Sequence, residues 1–219
     1  LVALTTFADL VGEAIACVRR DAVAAGLPDD GIGLNDGGTG ATAYAQAVGV
    51  YLAFAVDKCS DYWSAICTWH NSGEKMRNTF GRQAISMTWD FAEANPFCTS
   101  SGTWMAMVNC SRKVLENVPA GPKGAVCQAD AQTQTISANK IISIDPPYYD
   151  NIGYADLSDF FYVWQRHTLR PIFPDLYATL STPKAEELVA TPYRHGSKHA
   201  AERFFMDGMA RALHTLAAQ

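Results

Sequence analysis

The residues best suited to chemistry are Asp145-Pro146-Pro147-Tyr148, which directly follow the apolar run Ile141–Ile144. The side-chain oxygen of Asp145 can accept one N–H of an amine, and the main-chain carbonyl of Pro146 can accept the other. Two acceptors on one amine direct its lone pair outward and stabilise positive charge that develops on nitrogen. The run therefore predicts a catalytic loop, formed by these four residues, that holds a planar NH₂ group for attack on a methyl sulfonium.

The two prolines and the tyrosine suit this task in different ways. Consecutive prolines fix φ and remove two N–H donors, so the loop is stiff and no backbone donor competes for the amine. Tyr148 offers a flat face on which an extruded base can stack, a contact worth about 1–3 kcal/mol. Positioning supplies most of the rate in such a reaction, and no metal is required. The alternative interpretation is a Pro-Pro turn in which Asp145 is a cap and Tyr148 is packing.

Two short apolar runs are the elements that would position this loop. Gly124–Ala129 ends in Asp130, and Ile141–Ile144 ends in Asp145. Such runs are typical of neighbouring buried strands in a parallel sheet, and ligands bind past the carboxyl ends of such strands. In such folds Asp130 would bind the adenine amine of a cofactor; the alternative is an Asp that caps the next turn.

Apolar periodicity predicts helices elsewhere along the chain. The predicted helices cover residues 7–25, 41–67, 82–94, 103–118, 154–168 and 198–217. Residues 71–81 read as a polar connection, and Pro119–Pro122 marks a break between the helical patterns and the short apolar runs that follow. The chain is therefore expected to contain a mostly helical segment, 1–118, and a catalytic portion, 119–219.

Composition limits the function classes. The 219 residues carry a net charge of −5, so contact with nucleic acid must be local or supplied by other parts. The best local candidate is a basic cluster formed by Arg194, His195, Lys198, His199 and Arg203, although it also fits a solvated helix start. Six scattered cysteines favour free thiols over a metal site, even at Cys67-x-x-His70. No apolar run is long enough to span a membrane, and we expect a cytoplasmic protein.

The motif and its surroundings resemble a known family. The segment from Asp145 to Trp164 is very similar to the hallmark segment of adenine-specific DNA methylases that contain a zinc ribbon. The resemblance continues through Asn78–Ala84, Trp89–Phe97, Gln128–Asp130, Thr182–Glu187 and Pro192–Gly196.

The resemblance implies an α/β fold, namely a partial Rossmann-like S-adenosylmethionine methyltransferase fold with parallel strands and a large helical N-terminal part. It implies S-adenosylmethionine as cofactor, Asp145 to Tyr148 as the catalytic motif, and Asp130 at the cofactor. Tyr149, Asn151 and Arg194 are the further residues expected to bind substrate.

One departure from the family concerns the glycine-rich cofactor loop. Asp36–Gly40 imitates such a loop, but Gly31–Leu34 is a poor strand to precede it, so an N-cap and turn is the competing interpretation. The zinc ribbon is absent, and the chain begins with Leu1. We therefore expect a fragment that holds the base-side pocket and binds S-adenosylmethionine weakly or not at all.

The sequence thus predicts methyl transfer to an exocyclic amine, with adenine N6 of a base flipped out of DNA as the first candidate, within a restriction-modification or defence system. RNA bases and a protein glutamine amide are alternatives within the same class. A non-catalytic DNA-binding or scaffold subunit of a defence complex is the alternative from a different class. Other subunits of such a system are the expected partners.

Overall fold

The computed structural model describes residues 1–118, 121, 124–150 and 152–219 of the chain. The chain clusters into two compact units. The first unit comprises Leu1–Pro119 with Leu157–Thr182, and the second comprises Ala120–Asp156 with Pro183–Gln219. Residues 157–182 therefore cluster with the helical N-terminal part rather than with the residues around the Asp145 motif.

Three helices build most of the first unit: α1 (Val2–Ala24), α2 (Ala41–Ser60) and α3 (Trp104–Asn117). Apolar residues at three- and four-residue spacing give each helix a face to bury. The buried members of their shared core are Leu4, Ala8, Val11, Ala55, Val56, Cys59 and Met107. At Gly49 the helices α1 and α2 approach so closely that an added Cβ would lie 2.5 Å from the Ile15 side chain.

A fourth helix, α4 (Tyr154–Leu169), begins in the second unit and continues into the first. Within the first unit its last residue, Leu169, packs in a second apolar cluster with Ala53, Ile172 and Tyr177. The predicted helices over 7–25, 103–118 and 154–168 are confirmed as α1, α3 and α4.

The segment after α2 differs from its prediction. The helix ends at Ser60 rather than near residue 67, because the turn closes with two hydrogen bonds to the carbonyl of Cys59. A small antiparallel hairpin follows, in which β1 (Thr68–His70) pairs with β2 (Lys75–Arg77) across a 3₁₀ turn. The sequence had predicted only a polar connection here.

The helix predicted over residues 82–94 is wrong. These residues form bends, and the N–H of Ala92 donates to the carbonyl of Cys67 over 2.9 Å instead of to a helical partner. Trp89 is 94% exposed and Met87 is 76% exposed. A helix here would lack a buried apolar face, and most helical stability in proteins comes from packing such a face.

The second unit is organised around α5 (Pro192–His195) and α6 (Lys198–Ala217). Gly196 links them in the left-handed region at φ 77°, and the Ser197 hydroxyl caps α6 by accepting the N–H of Ala200 at 3.1 Å. Phe205 of α6 packs with Ala190 and Ala201. The predicted helix over 198–217 is confirmed.

The predicted α/β fold, a partial Rossmann-like methyltransferase sheet with parallel strands, is wrong. Among the described residues the β1–β2 hairpin is the only sheet, and it is antiparallel. Gly124–Ala129 and Ile141–Ile144 have no regular secondary structure and pair with no strand, and the side chains of Val126 and Ile141 are fully exposed. Four to six extended residues without a hydrogen-bonded neighbour do not form a stable strand. Apolar runs alone were therefore not sufficient to predict paired strands.

Three further features concern the whole of the described chain. No described helix combines the length and the apolar character needed to cross a bilayer. All six cysteines are free, and burial raises the pKa of the Cys59 thiol to about 12. Within the ranges that the structure describes, no three His, Cys, Asp or Glu side chains are grouped as metal ligands would be.

Candidate functional site

The four predicted catalytic residues lie together around one cleft in the second unit. Asp145, Pro146, Pro147 and Tyr148 line it with Tyr154, and its volume is about 400 Å³. Pockets for small organic groups fall in roughly the 300–1,000 Å³ range. All five residues are exposed, with Tyr148 at 62% and Tyr154 at 46%. The segment Asp145–Tyr148, called the proline corner below, is therefore open to solvent.

The groups in this cleft have a consistent chemistry. One carboxylate, from Asp145, and the carbonyls of the two prolines are acceptors, and neither proline offers an N–H donor. The rings of Tyr148 and Tyr154 add planar apolar surfaces with a hydroxyl at their edges. Such a cleft can accept the N–H groups of an amine while a flat ring lies against a tyrosine.

Tyr154 lies six positions after Tyr148, and the sequence indicated it either as a residue that shapes the pocket or as part of the start of the following helix. It is the first residue of α4, so the helix start brings a second ring to the cleft. The aromatic residue at the beginning of a predicted helix was the available signal. No local pattern predicts which way the loop between the two tyrosines turns.

Tyr149, a predicted substrate-binding residue, lies outside the lining of the cleft. Its carbonyl accepts the N–H of Ala190 at 2.8 Å, and its ring meets Phe205 edge to face with centroids 5.2 Å apart. Desolvation and a hydrogen bond with Glu202 raise the pKa of its hydroxyl. In this position Tyr149 anchors the proline corner to α6, and its contact with substrate stays a prediction.

Arg194, another predicted substrate-binding residue, sits between two carboxylates. Its guanidinium donates to Glu187 at 2.5 Å and to Asp156 at 2.7 Å, and its side chain is 11% exposed. Desolvation lowers the pKa of Arg194, but hydrogen bonds to Glu187, Asp156 and Tyr193 outweigh it and raise the pKa overall. Arg194 is thus engaged within the unit, and its contact with substrate also stays a prediction.

The same network fixes the start of α4. An oxygen of Glu187 accepts the N–H of Ala155 at 2.9 Å, which satisfies a donor at the helix start. Tyr193 donates a short hydrogen bond to Asp156, and that bond, together with Arg194, lowers the pKa of the Asp156 carboxyl. Negative charge is favourable in the first turn of a helix. These contacts hold the first turn that carries Tyr154.

The remaining predicted residues are placed as follows. Asp130 is exposed, and its Oδ1 accepts the N–H of Gln132 at 2.9 Å, which is the turn-capping arrangement weighed against cofactor binding. Its predicted contact with cofactor stays a prediction. Asn151 lies outside the described residues.

The basic cluster is only partly available for a ligand. Arg194 is held by carboxylates, and the His195 ring stacks on Phe204 with centroids 4.3 Å apart. Lys198 lies 4.0 Å from Glu202. The cluster therefore offers fewer free cations than its sequence suggests.

The glycine-rich segment Asp36–Gly40 does not form a cradle for a cofactor. A Cβ at Gly38 would lie 2.1 Å from the carbonyl of Ile32, so the loop closes on its own backbone. Asp29 already caps the following helix by accepting the N–H and hydroxyl of Thr42. The described residues of this chain therefore do not fit S-adenosylmethionine at this loop.

Comparisons with known proteins do not extend these observations. No family profile matches the chain. No curated protein is significantly similar to it, and no solved structure matches it. The resemblance to zinc-ribbon adenine methylases therefore rests on the quoted segments alone.

Proposed function

We propose that this chain supplies the amine-binding site of an S-adenosylmethionine-dependent methyltransferase that acts on an exocyclic amine, with adenine N6 in DNA as the first candidate. The observation that carries the proposal is the cleft itself. Asp145, Pro146, Pro147 and Tyr148 line one open space of about 400 Å³ together with a second tyrosine. A turn whose aspartate and tyrosine served only as cap and packing would not need to leave both exposed.

Each lining residue has a role in holding the amine. Asp145 accepts one N–H, and the carbonyl of Pro146 accepts the other, which orients the nitrogen lone pair and stabilises the charge it gains. The ring of Tyr148 supports the base that carries the amine, and Tyr154 adds a second ring to the lining of the cleft. When bound, S-adenosylmethionine supplies an electrophilic methyl group, and Asp130 remains the residue predicted to contact it.

Adenine N6 in DNA is favoured over two related substrates. A carboxylate rather than an amide at position 145 suits nucleobase amines, and the segment Asp145–Trp164 resembles adenine-specific DNA methylases. A cytosine or adenine base of RNA and a glutamine side-chain amide present the same planar NH₂ group. They therefore remain alternative substrates for the same site.

A second candidate function is a non-catalytic DNA-binding or scaffold subunit of a defence complex. The observation in its favour is the closed loop at Gly38, which gives the described chain no cradle for the cofactor. In that case the cleft would hold a base without any methyl transfer.

The proposal is tested by transfer of a labelled methyl group to DNA at millimolar S-adenosylmethionine, because weak cofactor binding is expected. We expect label in N6-methyladenine and a loss of about 100-fold or more in rate for Asp145→Ala. Asp207→Ala, an exposed carboxylate on α6, is the matched control and should keep the rate. Parallel reactions with RNA and a glutamine peptide identify the substrate. An unchanged rate in Asp145→Ala contradicts the proposal, and DNA binding without transfer favours the scaffold alternative.

A further inference from the structure

A second cavity lies in the first unit, between the β1–β2 hairpin and residues 78–88, and its volume is about 510 Å³. Its walls carry two guanidinium groups, one amide and several hydroxyls. These include Arg77, Arg82, Asn78, Thr68, Ser86 and Thr88. Among the described residues no acidic side chain lines this cavity. A set of cationic and neutral donors without a carboxylate suits an anion with several acceptor oxygens.

The hairpin brings the first pair of donors together. Thr68 of β1 and Arg77 of β2 are directly opposite each other in the antiparallel register. Opposite residues project their side chains to the same face, with Cβ atoms roughly 5 Å apart. The stem of Arg77 passes 3.6 Å from the position of a Cβ on Gly81, so the arginine extends over the turn that leads to Arg82.

Arg82 is oriented rather than neutralised. Its Nε donates to the Ser86 hydroxyl at 2.9 Å, and the two terminal nitrogens of the guanidinium have no hydrogen-bond partner among the described residues. In the part of the chain that the structure describes, neither Arg77 nor Arg82 forms an ion pair. By contrast, Arg19 pairs with Asp29 at 2.7 Å and Arg194 pairs with two carboxylates.

Asp61, which directly follows α2, holds residues 78–80 beside the cavity through hydrogen bonds. Its carboxylate accepts the Asn78 amide at 2.8 Å and the N–H of Phe80 at 3.0 Å, and its carbonyl accepts the N–H of Thr79 at 2.7 Å. The side chain of Asp61 is 5% exposed and does not line the cavity, and its Oδ2 lies 3.9 Å from the Lys58 ammonium. A site held by a buried anchor costs little ordering when a ligand binds.

We infer that this cavity binds a phosphate group of a nucleic-acid strand. The inference deepens the proposed function, on which the choice of nucleic acid rests. Planar guanidinium forks match phosphate oxygens in two-point contacts, and neighbouring hydroxyls commonly complete such sites. Because the chain carries a net charge of −5, a nucleic acid needs a local group of unpaired cations, and Arg77 and Arg82 provide one.

The test measures binding of a short fluorescein-labelled single-stranded DNA to the full chain across a series of NaCl concentrations, without S-adenosylmethionine. We expect Arg77→Gln and Arg82→Gln each to weaken binding about three- to tenfold at low salt and to lower the salt slope by about 0.7. Arg112→Gln removes an exposed arginine of α3 that already pairs with Glu116, and it should match the unsubstituted chain. Arg82→Lys keeps the charge and should restore the slope while affinity stays reduced.

Several outcomes decide the inference. Circular dichroism of each variant shows whether it is folded, and the lysine variant separates loss of charge from loss of structure. Equal affinity and equal slope in the two glutamine variants and the unsubstituted chain would overturn the inference. Inorganic phosphate that shifts the Arg82 Nε–H NMR signal, while DNA affinity is unchanged by Arg82→Gln, would show a free-phosphate site and would also overturn it.

The proposed function can fail separately from this inference. Asp207→Ala, at an exposed carboxylate that lines neither the cavity nor the cleft, should leave the salt slope of DNA binding unchanged. If Arg77→Gln and Arg82→Gln leave DNA affinity and salt slope unchanged while methyl transfer is normal, only the phosphate site is contradicted. If the two glutamine variants bind DNA more weakly as expected but the chain transfers no methyl group, only the catalytic role is contradicted.

Discussion

The main-chain carbonyl of Tyr149 accepts the N–H of Ala190 at 2.8 Å, which ties the end of the proline corner to the segment before α5. The Tyr149 ring also meets Phe205, a residue that is only 8% exposed. The two adjacent tyrosines therefore have different roles. Tyr149, 38% exposed, holds the loop through Ala190 and Phe205, whereas Tyr148, 62% exposed, lines the cleft.

Removal of the Phe205 ring should loosen the proline corner. We expect Phe205→Ala to lower the free energy of unfolding by about 3 kcal/mol, because a buried aromatic side chain leaves a cavity. It should also speed amide exchange in the peptide that contains Tyr148 and Tyr149, as measured by mass spectrometry. Met206→Ala, at an exposed neighbour, is the control. A loss of stability with unchanged exchange at the corner would show that Tyr149 does not hold it.

Replacement of Arg194 should destabilise the second unit by more than a surface change. Arg194→Met leaves Asp156 and Glu187 without their cation, so we expect a loss of about 2–4 kcal/mol in urea unfolding. The lower part of that range reflects the 40% exposure of Asp156. Arg211→Met, at an exposed arginine of α6, should change stability by less than about 0.5 kcal/mol. Equal effects at the two positions would contradict the structural role of Arg194.

Asp57 should make stability depend on pH. Burial raises the pKa of its carboxyl to about 6 from 3.8, and among the described residues its Oδ1 has no hydrogen-bond partner. As pH rises the unfolded chain loses this proton first. The contribution to stability is therefore complete below about pH 4 and is lost as pH rises through about 6.

Asp57→Asn removes this dependence, so it should stabilise the chain by about 1–3 kcal/mol at about pH 7.5 and by much less at about pH 4.5. Urea midpoints at the two pH values measure the difference. Asp21→Asn, at a carboxylate that is 76% exposed, should show neither effect. A stabilisation of the same size at both pH values would exclude burial of the Asp57 charge as the cause.

Two isoleucines test the correction to the fold. Ile141 is fully exposed, whereas Ile152 of the same unit is 6% exposed. We expect Ile152→Ala to cost about 2–4 kcal/mol and Ile141→Ala less than about 0.5 kcal/mol in urea unfolding. Comparable losses would mean that Ile141 is buried, as in the sheet that the sequence had predicted.

Local signals in the sequence account for most of the helices. The apolar stripe of α6 follows Ser197, a strong N-cap residue, and α3 follows Thr103, whose hydroxyl accepts the N–H of Ala106 at 3.4 Å. Caps and periodicity lie within a few residues of each other and are visible without tertiary structure. The prediction of a helix over 82–94 failed because the N–H of Ala92 bonds to the carbonyl of Cys67, a residue outside that segment.

The candidate site divides in the same way. The acceptors at Asp145 and Pro146 could be predicted, because four consecutive residues carry them. The Glu187 oxygen that receives the N–H of Ala155 lies 32 residues along the chain, and no local pattern indicates such a pair. The predicted strands failed because Ile141–Ile144 needs a neighbouring strand that the described chain does not contain.

The most direct test of the account compares two single-stranded DNAs that differ at one base, adenine or N6,N6-dimethyladenine. The dimethylated base has no N–H to donate to Asp145 or Pro146. We expect the unsubstituted chain to bind the adenine strand about tenfold or more tightly, and Asp145→Ala to lose most of that preference. Equal binding of the two strands by the unsubstituted chain would contradict the claim that the proline corner holds an exocyclic amine.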